Sequence, residues 1–266
     1  MQPQERAMLA FRLTHVCKHY DNGHQALKDI NLDIEAGSFV VILGPSGAGK
    51  STLLRSLNGL ESIQGGEILF DGVQVVPRNL RHVRSGVAMV FQQFNLVGRL
   101  SVMTNVLTGR LARRSWLGSL LHLFRRDDVE LATRLLARVG LTERAWQRAD
   151  KLSGGQQQRV GIARALAQQP KVILADEPVA SLDPLATEEV MAMLAAINRE
   201  DGITVILNLH QVDLAKRFAD RVIGVNAGSI VFDGPPAQLD RNALAHIYQR
   251  EGDAHAQPVP ALLAYA

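Results

Sequence analysis

One octapeptide limits what this chain can fold into more than any other stretch. An apolar run, 39–43, feeds directly into Gly44, Pro45, Ser46, Gly47, Ala48, Gly49, Lys50 and Ser51, which satisfy the pattern G-x-x-x-x-G-K-[ST] at every fixed position. A strand has to enter such a turn and a helix has to leave it. Gly44, Gly47 and Gly49 let the backbone bend sharply, so that several N–H groups converge on one anion at the helix start. Lys50 would then neutralise the β and γ phosphates of a nucleotide as a point charge. The Ser51 hydroxyl would complete a Mg²⁺ shell beside waters and phosphate oxygens. A glycine-rich turn that binds nothing is the plainer alternative, disfavoured by the strand before it and the helix after it. By itself the octapeptide indicates a nucleotide-binding α/β fold, NTPase or kinase.

The surrounding chain can supply one such domain. Its 266 residues, 47% of them hydrophobic, suffice for a large α/β core with room for a subdomain insert. A net charge of +3, from 29 basic and 26 acidic residues, is too mild to argue for a nucleic-acid partner. The lone cysteine, Cys17, leaves no internal disulfide and suits a reducing compartment. The amino-terminal MQPQERAMLAF has no apolar signal core, and no run of about 18 apolar residues offers a membrane span. The expectation is a cytoplasmic chain that meets a membrane only through a partner or through its surface. No internal repeat is visible, so each motif should occur once.

Residues 11–19 and 26–34 alternate like the two strands of an antiparallel hairpin around the turn 20–24. His15, Cys17 and His19 share one face of the first strand; with no fourth ligand at a recognisable spacing they read as ordinary strand residues rather than a metal site. Tyr20, an aromatic at the hairpin tip shortly before the phosphate loop, could stack on a nucleobase. A helix is expected from Lys50 to Asn58 with Gly59 as its stop. A strand pair over 67–75 turns at Asp71-Gly72, and a short buried strand over 86–91 ends at Gln92. Residues 100–150 turn helical, most clearly over 128–139 before Gly140, and read as a helical subdomain inserted between sheet strands. Within it, 110–126 mixes paired arginines with apolar residues. An interfacial membrane helix and a solvated helix docked on the subdomain both fit, and Gly118, which interrupts the apolar stripe, favours the second.

Ser153, Gly154, Gly155 and Gln156 open the next helix. Ser153 and Gln156 stand in the S-x-x-Q relation of a capping box, which explains the helix start. It does not explain two consecutive glycines, which would expose N–H groups and form a second phosphate-binding surface. The apolar strand 171–175 delivers Asp176 and Glu177, adjacent carboxylates that can divide labour, Asp176 holding the Mg²⁺ shell and Glu177 polarising an attacking water as general base. Asp183, ahead of Pro184, could simply cap the helix 185–198. Strand 203–207 delivers His210, placed to sense a γ-phosphate. A final hairpin, 221–232, turns around 226–228, and the proline-bearing tail from Glu251 is expected to be loosely held.

In order and spacing these segments resemble the ATP-binding-cassette ATPases of membrane transporters, from Phe11 to about Leu239. Residues 44–51 look like that family's Walker A loop, LSGGQ at 152–156 like its signature, 172–176 with Glu177 like Walker B, and 181–183, ending in Asp183, like the D-loop. The resemblance implies an α/β P-loop NTPase fold with a RecA-like core, an antiparallel β subdomain and an inserted α-helical subdomain. The boundaries implied are an arm at 1–10, one ATPase domain over 11–250 with the helical insert at about 96–165, and a flexible tail at 251–266. The resemblance further implies that Tyr20 stacks on adenine and that Thr52 joins residues 44–51 in binding the nucleotide. Gln92, Ser51 and Asp176 would serve the Mg²⁺, and Glu177, His210 and Gln92 would be catalytic. Two details depart from the usual wording: Gln93 stands beside Gln92, and Gln211 rather than the frequent aspartate follows His210.

In such ATPases two cassettes pair head to tail, so Ser153, Gly154, Gly155 and Gln156 would bind the ATP of a partner protomer. A chain with one set of motifs should then be a homodimer, with ATP and Mg²⁺ as cofactors. It would close when the triphosphate bridges both glycine-rich surfaces and reopen after hydrolysis. The implied partners are an integral membrane permease, received in a groove near Gln92 and the helical subdomain, and indirectly an extracytoplasmic substrate-binding protein. The implied place is the cytoplasmic face of the bacterial inner membrane.

The finer wording is similar to the ATP-binding subunits of bacterial phosphonate importers: FQQFNLV at 91–97, RLSV at 99–102, NVLTGRL at 105–111, the insert at 116–124 and NLHQVDL at 208–214. Importers of polar amino acids share FQQFNL but generally lack the insert, which leaves a polar amino acid or another small anion as the alternative cargo. A GTPase would need N-K-x-D, which is absent, and a P-loop kinase would have no use for 152–156. A soluble cassette ATPase acting on nucleic acid or ribosomes would often carry two cassettes or a long coiled coil, and this chain has neither.

Overall fold

The structure, a computed structural model, describes residues 8–113 and 124–249. The insert expected at 116–124 lies outside these residues apart from Phe124, as do residues 1–7 of the expected arm and the tail at 251–266. The helix considered over 110–126 likewise falls mostly outside them.

Strands β1 (Leu9–His19) and β2 (Gln25–Glu35) form the expected antiparallel hairpin. β1 takes in Leu9 and Ala10 ahead of the expected start at Phe11, because Leu9 pairs with Glu35 and Ala10 is buried. β3 (Phe39–Leu43) enters the glycine-rich loop and helix α1 (Lys50–Leu57) leaves it. β4 (Gly65–Phe70) and β5 (Val73–Gln74) complete a four-stranded sheet in the order β2-β1-β4-β5. Next come α2 (Leu80–Gly86), β6 (Val87–Phe91), and three helices, α3 (Val102–Leu107), α4 (Arg126–Arg138) and α5 (Gly154–Ala167). The remainder alternates: β7 (Val172–Asp176), α6 (Pro184–Asp201), β8 (Thr204–Asn208), α7 (Val212–Phe218), β9 (Arg221–Asn226), β10 (Ser229–Gly234) and α8 (Arg241–Tyr248).

The second sheet runs β10-β9-β3-β8-β7-β6, with β10 antiparallel at one edge and the other five strands parallel. Its central strands β3, β7 and β8 are buried at every position and mostly apolar, as a parallel sheet covered on both faces requires. Period-two alternation divides them between two cores. Phe39, Val41, Leu43, Ile173, Ala175, Val205 and Leu207 pack with helices on one face. Val40, Ile42, Val172, Leu174 and Ile206 join α1 and the antiparallel sheet on the other. Val102, Val106, Ala132, Leu136 and Val160, from the helices between β6 and β7, belong to the first of these cores, so the helical insert is built onto the sheet's own apolar body.

Because the strands are parallel, their carboxyl ends share one edge, where open α/β sheets bind ligands. Gly44 follows β3, Gln92 follows β6, Glu177 follows β7, and His210 lies two residues beyond β8. The register pairs Phe91 with Asp176 and Ile42 with Asn208, which aligns these exits. Among the described residues, no helix is long and apolar enough to cross a membrane.

Candidate nucleotide site

The loop between β3 and α1 has a shape that only its own glycines permit. Gly44 holds φ at 154° with Val225 O where a Cβ would stand, 2.0 Å away, and Gly49 holds φ at 105° with Ala26 O at 2.3 Å from the same imagined atom. Any larger residue at either position would push the loop off β2 and β9. No side chain caps the start of α1, which leaves its first N–H groups to a ligand. Lys50 is buried, and its Nζ folds back to donate to Gly44 O at 2.7 Å and Pro45 O at 3.0 Å. Burial pushes the ammonium below the usual lysine value, while the Glu177 and Asp176 carboxylates offset part of that cost. A cationic group held at a loss in this way gains most when an anion arrives.

A cavity of about 250 Å³ opens over the loop. Ser46, Gly47, Lys50, Ser51 and Thr52 line it together with Tyr20 and Glu177. The Tyr20 hydroxyl and Thr52 Oγ1 are 3.1 Å apart, which ties the hairpin end to α1. Lys18 Nζ stands 5.0 Å from the Tyr20 ring centroid, a cation–π contact that helps fix the ring.

The two carboxylates expected to divide labour do have different partners. Asp176 is buried at the end of β7. Its Oδ1 accepts from Ser51 Oγ at 2.8 Å and from Asn208 Nδ2 at 2.8 Å, and its Oδ2 accepts from Arg55 Nη2 at 3.0 Å. Glu177, one residue later, adopts a left-handed φ of 50°, a conformation rare for a residue with a side chain. The turn separates it from Asp176 and places it on the cavity wall, where its Oε1 lies 2.7 Å from His210 Nε2. The structure therefore joins Ser51 to Asp176 and Glu177 to His210 at adjacent points of the same edge.

Arg55 and Asn208 were not among the expected site residues. Arg55 follows Ser51 by one helical turn, the spacing that puts both on one face of α1. Asn208 is an amide directly after the apolar run 205–207, one residue beyond the stretch read as strand from the sequence. Both signals are present in the chain, but neither says what the side chain meets.

The remaining expected residues lie off this cavity. Gln92 is exposed just beyond β6 and does not line it. Ser153 caps α5 through a full capping box, Ser153 N donating to Gln156 Oε1 at 3.1 Å and Gln156 N to Ser153 Oγ at 3.4 Å. Gly155 has a packing reason absent from the sequence reading: its Cβ would stand 2.8 Å from Ala186 Cβ on α6. Gly154 faces Leu182 and Phe94 at ordinary contact distance. Asp183 is an N-cap, accepting from Ala186 N at 2.9 Å. On β1, His15 Nδ1 meets Asp29 Oδ1 at 2.7 Å, and Cys17 Sγ accepts from Asp29 N at 3.4 Å.

A phosphate loop, a buried lysine, and a carboxylate pair at the carboxyl edge of a parallel sheet define a P-loop nucleoside triphosphatase. Comparison with known proteins narrows the class. Residues 27–180 match the ABC transporter family model, and the chain belongs to that family of ATP-binding subunits. It is 65% identical to the phosphonates import ATP-binding protein PhnC of Thiobacillus denitrificans, across 97% of this chain and all of that one. Identity to the PhnC 2 protein of Trichodesmium erythraeum is 58%, over 92% and 95% of the two chains. Among solved structures, the ATP-binding cassette MJ0796, a dimer in a post-hydrolysis state with ADP and phosphate, superposes with a TM-score of 0.75 at 35% identity, over 85% of this chain and 98% of that one.

Proposed function

We propose that this chain is the ATP-hydrolysing subunit that energises phosphonate import, working as a homodimer on a membrane permease fed by an extracytoplasmic binding protein. The observation that carries the hydrolytic half is Glu177 on the cavity wall, 2.7 Å from His210 and beside Lys50 and Ser51. The phosphonate half rests on the high identity, along nearly the whole chain, to proteins of that description.

The residues suit the parts of a phosphoryl-transfer site. Backbone N–H groups of the loop and the Lys50 ammonium hold the β and γ phosphates, and the Tyr20 ring offers a stacking surface for adenine. Glu177 takes the proton of the attacking water as the bond between the γ-phosphorus and the ADP oxygen breaks, and His210 fixes the orientation of that carboxylate. Ser51 and Asp176 are hard oxygen donors 2.8 Å apart, too few for a cage and well suited to Mg²⁺, which keeps waters and takes phosphate oxygens. Bound there, Mg²⁺ supplies charge neutralisation of the phosphate oxygens. Gln92, exposed beyond β6, is left as a residue that reaches the cation only on closure.

Ser153, Gly154, Gly155 and Gln156 line no part of their own chain's cavity, which supports their use on the nucleotide of a second copy. Val97, on the segment after Gln92, and Trp146, on the helical insert, are exposed large apolar side chains available to a permease. Their exposure fits a peripheral subunit on the cytoplasmic face of the inner membrane.

The test is growth. A bacterium deprived of this chain should fail on a phosphonate as sole phosphorus source and grow on inorganic phosphate. The intact chain should restore growth and a Glu177→Gln chain should not. Undisturbed growth on the phosphonate without the chain would remove the cargo from the proposal, and rescue by Glu177→Gln would remove the general base.

A further inference from the structure

We propose that Asn208 is a positioning residue for the Mg²⁺ of this site, acting through Asp176; the inference rests on the assignment of Ser51 and Asp176 to that cation. Asn208 is fully buried at the end of β8, directly after Val205, Ile206 and Leu207. An amide in such surroundings costs free energy unless both its polar atoms are bonded. Its Nδ2 donates to Asp176 Oδ1 at 2.8 Å, and because a carboxylate only accepts, that contact fixes which end of the amide faces the carboxylate. The other end, Oδ1, is buried and takes no hydrogen bond from any described residue. An amide's nitrogen and oxygen are roughly 2.3 Å apart, so this orphan acceptor lies within about 5 Å of Asp176 Oδ1.

The arrangement of donors around Asp176 gives Asn208 a task that Ser51 cannot perform. Asp176 Oδ1 has two donors, Ser51 Oγ and Asn208 Nδ2, and Oδ2 has one, Arg55. A hydroxyl has one hydrogen and two lone pairs, so Ser51 Oγ can face a cation and still donate to Asp176, but its position then answers to the cation as well. The donors that hold the carboxylate independently of the cation are Asn208 and Arg55. Arg55 is a long side chain with 45% of its surface exposed, whereas Asn208 is locked inside the sheet, so Asn208 sets the position.

Mn²⁺, titrated into the full chain saturated with a non-hydrolysable ATP analogue and followed by the paramagnetic resonance of the free ion, reads this directly. Asn208→Val, which suits an apolar strand, should weaken Mn²⁺ binding about 10- to 100-fold. Affinity for the metal-free analogue and the melting temperature should stay near those of the unaltered chain. Asn208→Thr, whose hydroxyl can donate to Asp176, should recover part of the loss. Unchanged Mn²⁺ affinity in Asn208→Val overturns the inference. Equal losses in both variants, matched by lower stability and weaker metal-free binding, overturn it in favour of a packing role. Asp176→Asn separates the two levels. If it too binds Mn²⁺ normally, the cation assignment falls and carries the inference with it; if it loses Mn²⁺ while Asn208→Val does not, only the inference falls.

Discussion

The chain opens two helices on glycine-rich turns, 44–51 and 153–156, and the two turns use their glycines for different physical ends. At the first, Gly49 sits in a left-handed conformation, no side chain caps α1, and a buried lysine stands ready with its ammonium bonded only to carbonyls. At the second, Ser153 and Gln156 satisfy each other's N–H groups, and Gly155 is small because Ala186 leaves no room for a Cβ. The first turn is left open to an anion within a single chain. The second is a finished helix cap, and it binds phosphate only if a second molecule's nucleotide competes successfully with the capping box.

That contrast is most exposed to test at Ser153. Ser153→Arg puts a bulky side chain on the exposed cap and leaves the cavity over Lys50 untouched. Turnover should fall by about 10²-fold or more, the loss typical of removing a preorganised donor, while ATP binding to the isolated chain is retained. Steady-state hydrolysis and equilibrium binding of a fluorescent ATP analogue read the two halves separately. Normal hydrolysis would mean that the second turn is a cap and nothing more.

Lys50→Ala probes the other turn and should give the opposite pattern. A charge-assisted hydrogen bond contributes about 1.5–3 kcal/mol, so ATP affinity should drop roughly 10- to 100-fold. Folding should suffer little, since burial already disfavours the ammonium in the nucleotide-free chain. Equilibrium dialysis checks the affinity and thermal unfolding checks the fold. Undiminished affinity would move the phosphate site away from 44–51.

What could be read from the chain beforehand follows the same division between local and distant causes. The phosphate loop, the capping box and the Asp183 cap are encoded within a few residues, and period-two and helical patterning locate most strands and helices for the same reason. The contacts of Asp176 are not local: Arg55 arrives from α1 and Asn208 from β8, and only the register of β7 beside β8 brings the amide to the carboxylate. Gly155 illustrates the limit most sharply. From the sequence its missing side chain suggests an exposed backbone, and only the docking of α5 against the start of α6 reveals the steric reason.

The smallest effect separates those two explanations. Gly154 and Gly155 are neighbours in the first turn of α5, and replacing glycine by alanine in a helix is worth up to about 1 kcal/mol in favour of the folded state. A Cβ on Gly154 would make ordinary contacts, 3.5 Å from Leu182 Cδ2 and 3.6 Å from Phe94 Cζ, so Gly154→Ala should hold or slightly raise stability. A Cβ on Gly155 meets Ala186 Cβ at 2.8 Å, and α5 must move off α6 to admit it. Gly155→Ala should therefore lose about 1–2 kcal/mol despite its better helix propensity. Urea unfolding of the two variants measures the difference. If both shift alike, packing against Ala186 is not what excludes a side chain, and the glycines of the second turn would serve exposed N–H groups as those of the first do.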